Sequence, residues 1–116
     1  VSVYGRPEEY GLKIIGSVDL GSWEWSKLAV FQREADGVIL WATDSGCSCT
    51  YFLDGSDADG LSPLDAYYAE TWRRWYRTNA EGYGSFSDER DALEKLIRDV
   101  GQIVSSQRRA SLRKAP

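Results

Sequence analysis
The stretch DSGCSC, residues 44–49, holds both cysteines of the chain, two positions apart behind an apolar run. Thiols so spaced serve four kinds of chemistry, and the rest of the sequence weighs between them. A closed zinc site takes about four ligands, usually Cys and His. With two Cys and no His, Asp44 and Asp54 would have to complete the set, or a dimer would have to pool four thiolates across a two-fold axis. A redox pair needs a disulfide, but Cys-x-Cys closes a tight ring, and neither the Cys-x-x-Cys spacing nor a thioredoxin-like order of elements is present. A cysteine nucleophile needs a base, and a chain without His has no Cys–His arrangement. The fourth reading is packing and turn chemistry. Asp44, Ser45 and Gly46 form a turn in which Asp44 bonds its own backbone and Gly46 takes a positive φ, while Cys47 and Cys49 tuck in as small apolar plugs. We favour this structural role for Asp44, Gly46, Cys47 and Cys49; it implies no catalytic residue, no metal and no cofactor.

Other segments offer weaker chemistry. DGSDADG, residues 54–60, places Asp57, Asp59 and Gly60 at positions 3, 5 and 6 of a calcium loop, but position 1 would be Gly55 and position 12 Ala66. A solvated acidic loop fits better. WRRWYR interleaves Arg73, Arg74 and Arg77 with Trp72, Trp75 and Tyr76, and the segment 108–116 adds Arg108, Arg109, Arg113 and Lys114. Stacking aromatics with phosphate-pairing arginines hold single-stranded nucleic acid. The same spacing also describes a core helix with a wet side. Trp23 and Trp25 bracket Glu24, so an extended chain there puts both rings on one face of a sheet. Trp, Tyr and Arg dominate interface hot spots, which makes Trp23, Trp25, Arg73, Arg74 and Arg77 the candidate protein-binding residues.

These residues must be held by elements that local signals outline. Residues 12–20 alternate, with Leu12, Ile14, Gly16, Val18 and Leu20 on one side and Ile15 the exception. Residues 24–34 carry an apolar centre at 28–31, and Asp36-Gly37 turns into a third run at 38–43. The middle strand should be the most buried. Ser62 and Pro63 read as the N-cap and first residue of a helix with Asp65 near its positive end. Leu64, Tyr68, Trp72, Trp75 and Tyr76 form that helix's buried face, and NAEGYGSF ends it. Ser87 starts a second helix, with Ala92, Leu93, Leu96, Ile97, Val100, Ile103 and Val104 inward, ending near Gln107 before a frayed basic tail. The expected fold is α+β: a three-stranded antiparallel sheet packed on one face by two C-terminal helices, with the second face wet or an interface. One domain spans 1–107 and a basic C-terminal tail 108–116.

At 116 residues the chain suits a single core. Charge is uneven, net −6 over residues 1–60 and net +2 over 61–116, which together give the overall −4. That acidity argues against a general nucleic-acid binder. No apolar run approaches the ~20 residues of a membrane span, and VSVYGRPEEY lacks a signal-peptide layout. Two cysteines make no disulfide framework, in keeping with a reducing, cytoplasmic compartment.

YGRPEEYGLKIIG followed by LWATDSGCSC resembles a family of small actinobacteriophage proteins grouped as a domain of unknown function. Its members typically read PE-x-(F/Y)-GL-x-(V/I)-(V/I)-G, then an apolar strand pair, then DSGCSCP-x-PFE. The likeness covers about residues 4–65 and departs after Cys49, where Thr50-Tyr51-Phe52-Leu53-Asp54 replaces the Pro-bearing segment. The resemblance implies a phage origin, which would make the expected cytoplasm that of the host cell, and a compact α+β domain, and it brings no catalytic residues. The expectation is a non-enzymatic phage accessory protein that binds a host or phage protein. The alternatives are a nucleic-acid-binding protein that uses the Arg/aromatic helix and basic tail, and a virion structural component. A homodimer is compatible with the sequence, and an enzyme, such as a hydrolase built on Asp44 and Asp54, comes third.

Overall fold
A computed structural model describes residues 3–21, 23–47, 50–53, 60–80 and 87–114. Three long strands, β1 (Leu12–Gly21), β2 (Glu24–Arg33) and β3 (Ile39–Cys47), form an antiparallel meander. A two-residue strand β4 (Ser62–Pro63) pairs with β3 at Leu40 and Trp41. Two helices follow, α1 (Tyr68–Ala80) and α2 (Ser87–Lys114). The fold is α+β, as the alternation and helical periodicity imply. Among the described residues no helix is long and apolar enough to cross a membrane.

The central position of β2 explains its apolar centre. Leu28, Ala29, Val30 and Phe31 are each fully buried, because a strand with neighbours on both edges and layers on both faces has no wet side. The β2–β3 connection follows its Asp-Gly signal. Gly37 adopts φ +75°, and the Asp36 carboxylate accepts from the Val38 N–H (3.1 Å) and from Arg33 Nε (2.9 Å).

One face of the sheet carries the helices. Val18, Leu20, Leu28, Val30 and Ile39 meet Trp72 of α1 and Leu93, Leu96, Ile97 and Val100 of α2. The other face is not wet, which corrects the sequence expectation. Val3, Tyr4, Tyr10, Phe52, Leu53 and Leu61 close over Leu12, Ala29, Phe31, Leu40 and Ala42 to make a second core. These six residues lie in short segments outside the long strands, Val3-Tyr4 and Phe52-Leu53 as adjacent pairs, so no periodic signal announces them.

A bulge lets β1 serve both cores. Its pairing with β2 shifts by one residue between Ile14 and Gly16, and a one-residue shift sends the following side chains to the opposite face. Leu12 therefore joins the second core while Val18 and Leu20 join the helix side, rather than all pointing one way.

Three further boundaries differ from the sequence reading. Ser62 and Pro63 pair in the sheet instead of capping a helix, since the Leu64 N–H is bound by Ile39 O (3.2 Å) and buried Leu61 fixes the chain against the second core. Asp65 still marks the helix entry, with its carboxylate accepting from the Tyr67 N–H (2.7 Å). Helix α1 runs to Ala80, past the expected break at Asn79. Helix α2 continues through Lys114 rather than fraying after Gln107, and Ala92 is exposed. Gly101 does not break α2; a methyl there would lie 3.2 Å from the Tyr68 hydroxyl, so glycine makes room for the tyrosine of α1.

Candidate functional site
Residues 44–47 complete β3 instead of forming a turn. Trp25 pairs with Gly46 and Glu24 with Cys47, and strand pairing overrides the turn preference of Asp-Ser-Gly. Gly46 has no positive φ, unlike Gly11, Gly21 and Gly37. Its lack of a side chain serves close packing instead: a methyl at Gly46 would fall 2.8 Å from Trp25 Cζ2 and would overlap Thr50 Oγ1. The reversal comes after the strand, where the Thr50 N–H donates to Cys47 O (3.0 Å). Thr50 Oγ1 also accepts from the Cys47 N–H and donates to Cys47 O, both at 3.0 Å.

Asp44 does bond its own backbone, accepting from the Ser45 N–H (2.9 Å), and its other oxygen accepts from the Leu53 N–H (2.9 Å). The carboxylate thereby pins the segment that covers the second core. In the same cross-strand row, Lys27 sits between Asp19 and Asp44. Its ammonium lies 3.3 Å from the Asp19 carboxylate and 3.9 Å from the Tyr4 ring centroid. That lysine ties charge and aromatic cover together under the loop.

Cys47 is disulfide-bonded, which corrects its reading as a free apolar plug and removes the cysteine usage as an argument for a reducing compartment. The chain's other cysteine, Cys49, lies outside the described residues, as do residues 54–59 with their acidic-loop and calcium readings.

Beside Cys47 a cleft of about 350 Å³ opens at the hairpin end of the sheet, lined by Leu20, Glu24, Trp25, Ser26, Ser45 and Asn79 among others. A second hollow of about 300 Å³ shares Ser45 and Asn79 and adds Thr43, Asp44 and Trp75. Alternation puts Glu24, Ser26, Thr43 and Ser45 on the helix-facing side of β2 and β3. The last turn of α1 forms the opposite wall. Asn79 donates from Nδ2 to Trp75 O (2.8 Å) and accepts at Oδ1 from Ser26 Oγ (3.0 Å), so it closes its own helix and ties that helix to β2. The indole of Trp25 is held by Nε1 donating to Cys47 O (2.9 Å) and by an edge contact with Phe52. Sequence reading missed Asn79 because the NAEGYGSF stretch looks like a helix break. An Asn four residues after Trp75 is the signal that could have found it, since a side-chain amide at that spacing reaches back to a terminal carbonyl.

The expected binding residues divide. Trp23 stands at the β1–β2 hairpin tip with 78% of its surface exposed. Trp25 is half-buried in the packing just described. Arg74 and Arg77 are exposed on α1. Arg73 is committed within the fold, its guanidinium donating to both oxygens of Glu94 on α2 (2.9 and 2.8 Å). That paired hydrogen bonding holds the Arg73 pKa well above its ordinary value. It also lowers the Glu94 carboxylate below its own, with the nearby charges of Arg73, Arg98 and Arg90 adding to the shift and partial burial opposing it. Among the described residues no group of three or more His, Cys, Asp or Glu is placed to hold a metal ion.

The cleft thus sets the hydroxyls of Ser26 and Ser45, the Asn79 amide and the Glu24 carboxylate among the apolar surface of Leu20 and Trp25, with Trp23 next to Glu24 in the chain. That arrangement belongs to a small α+β domain whose meander is covered on both faces. By its sequence this chain is a member of the family described as a domain of unknown function (DUF7574), whose model matches residues 1–103. No curated protein and no solved structure matches it.

Proposed function
We propose that this domain acts by binding, as a non-enzymatic phage accessory protein that docks a host or phage protein at Trp23 and the adjoining cleft. The carrying observation is the contrast among the tryptophans. Trp72 is fully buried, and Trp25, Trp41 and Trp75 are packed against the cores, whereas Trp23 leaves 78% of its surface in water. An indole offers about 200 Å² for burial, so covering the exposed part is worth roughly 3–4 kcal/mol at ~25 cal/mol per Å². An anchor of this size is typical of an interface hot spot. Arg74 and Arg77 supply exposed positive charge on the helix that walls the cleft, and Trp25 is among the residues that line it. The phage origin rests on the likeness of residues 4–65 to the actinobacteriophage proteins.

The test is a pull-down of the tagged protein from host lysate, with and without nuclease, beside its Trp23→Ala variant. A stoichiometric protein that survives nuclease and is lost with Trp23→Ala is the expected result. Retention of the same protein by the folded variant, or loss of all captured material on nuclease treatment, would sink the proposal.

A further inference from the structure
Helix α2 outlasts the core it packs on. Val100 is its last buried residue, Ile103 and Val104 are half-buried, and every described position from 105 to 113 is exposed. Among the described residues Gln107 makes the last hydrogen bond from α2 toward the sheet, its amide donating to Gly37 O (2.6 Å) in the β2–β3 turn. At 1.5 Å per residue, residues 105–114 add roughly 15 Å of helix.

The charge on this extension is of one sign. Residues 100–116 contain four basic residues and no acid, whereas the first thirteen residues of α2 contain five acids, Asp88, Glu89, Asp91, Glu94 and Asp99. The helix dipole accounts for cations in the last turn, but its effect falls off beyond that turn and leaves Arg108 and Arg109 unexplained. Among the described residues no carboxylate forms an ion pair with Arg108, Arg109 or Arg113; Arg109 donates to Ser106 Oγ at 3.2 Å. The spacing of four, three, four and four aligns Arg98, Gln102, Ser105, Arg109 and Arg113 on one exposed face opposite the buried stripe. From the first of these arginines to the last the face spans roughly 22 Å.

We propose that this projecting end of α2 is a binding arm for double-stranded DNA. A helix 10–12 Å across fits the ~12 Å major groove of B-form DNA, and the arginines meet phosphates while Gln102 and Ser105 face the groove. Residues 87–114 contain no Trp, Tyr or Phe, so the stacking platform that holds single strands is missing. The deep, narrow major groove of an RNA duplex shuts such a helix out. Leu112 is the one large apolar side chain exposed along residues 105–113, too little for an amphipathic membrane face. The acidic start of α2 and the net −6 of residues 1–60 keep the rest of the molecule off the phosphates. This surface is separate from Trp23 and its cleft, so either assignment can fail without the other.

The measurement is fluorescence anisotropy of a labelled DNA duplex of about 20 base pairs, titrated with the full chain at 50 and 200 mM salt. About four phosphate contacts at a slope near −0.9 each predict a loss of affinity of roughly 150-fold between those salts. Arg109→Gln with Arg113→Gln keeps helix propensity, and by the same slopes it flattens the salt dependence to about 12-fold and weakens binding at 50 mM; Trp23→Ala changes neither. Absence of saturable binding at 50 mM overturns the proposal. So does unchanged binding by the double variant with its helical circular dichroism intact, or tighter binding to a single strand, an RNA duplex or anionic lipid vesicles.

Discussion

Replacing Gly46 by Ala tests the packing around Cys47. The new methyl meets Trp25 Cζ2 at 2.8 Å and Cε2 at 3.2 Å and overlaps Thr50 Oγ1. Neither neighbour retreats freely. Trp25 is held by its bond to Cys47 O and its contact with Phe52, and Thr50 Oγ1 is engaged with both the N–H and the carbonyl of Cys47. Overpacking of a filled site costs about 1–3 kcal/mol, and displacing the threonine or the indole forfeits one or two hydrogen bonds at about 1 kcal/mol each. Against this, Ala restricts the unfolded chain and returns roughly 0.4–1 kcal/mol. The net expectation is a destabilisation of about 2–4 kcal/mol, or a melting temperature lower by roughly 8–16 °C for a domain of this size. Urea unfolding followed by tryptophan fluorescence and far-ultraviolet circular dichroism measures it, with Gly60→Ala as control because a methyl there meets nothing within 4 Å. The control should stay within about 0.5 kcal/mol of the parent. A Gly46→Ala midpoint equally close to the parent would refute the close-approach reasoning and show that the indole and threonine yield at little cost.

The Arg73–Glu94 link gives a pH dependence. Because the folded Glu94 pKa lies below its ordinary 4.5, the contribution is fully present above that value and disappears as pH falls through the depressed one. With both side chains more than a third exposed, the pair is worth at most about 1 kcal/mol. The stability gap between the parent and Glu94→Gln, read from urea midpoints, should therefore be present at pH 7 and close on acidification; a gap constant down to pH 3 would contradict the assignment. Thiol titration addresses Cys47. Unreduced protein should expose no reactive thiol, and two per chain should appear after reduction under denaturing conditions. Two free thiols before reduction would remove the disulfide.

The three long strands and the aromatic face of α1 were legible because their apolar residues recur at periods of 2 and 3.6, and the apolar centre of β2 marked it as the middle strand. Other features depended on contacts between distant segments. The bulge at Ile15 looks in sequence like one misplaced residue, while its effect on Leu12 and Val18 emerges only from pairing with β2. Val3, Phe52 and Leu61 carry no pattern that tells of a second core. At Asp44, Gly46 and Ser62 the local turn and cap preferences were real, but pairing with Lys27, Trp25 and Trp41 outweighed them. The cleft joins β2, β3 and the end of α1. Its residue types were visible singly, but the bond between Ser26 and Asn79, 53 positions apart, was not.

The bulge in β1 also bears on how this strand can lose residues over evolutionary time. Ile15 is the surplus position in the pairing of β1 with β2, so removing it would leave Leu12 and Ile14 on one side and Gly16, Val18 and Leu20 on the other. Removing any residue from 17 to 20 would instead turn part of the strand over and exchange its core-facing and outward-facing side chains. The strand therefore contains one residue whose loss would keep both faces in register, at the cost of the packing Ile15 makes against the helix-side core.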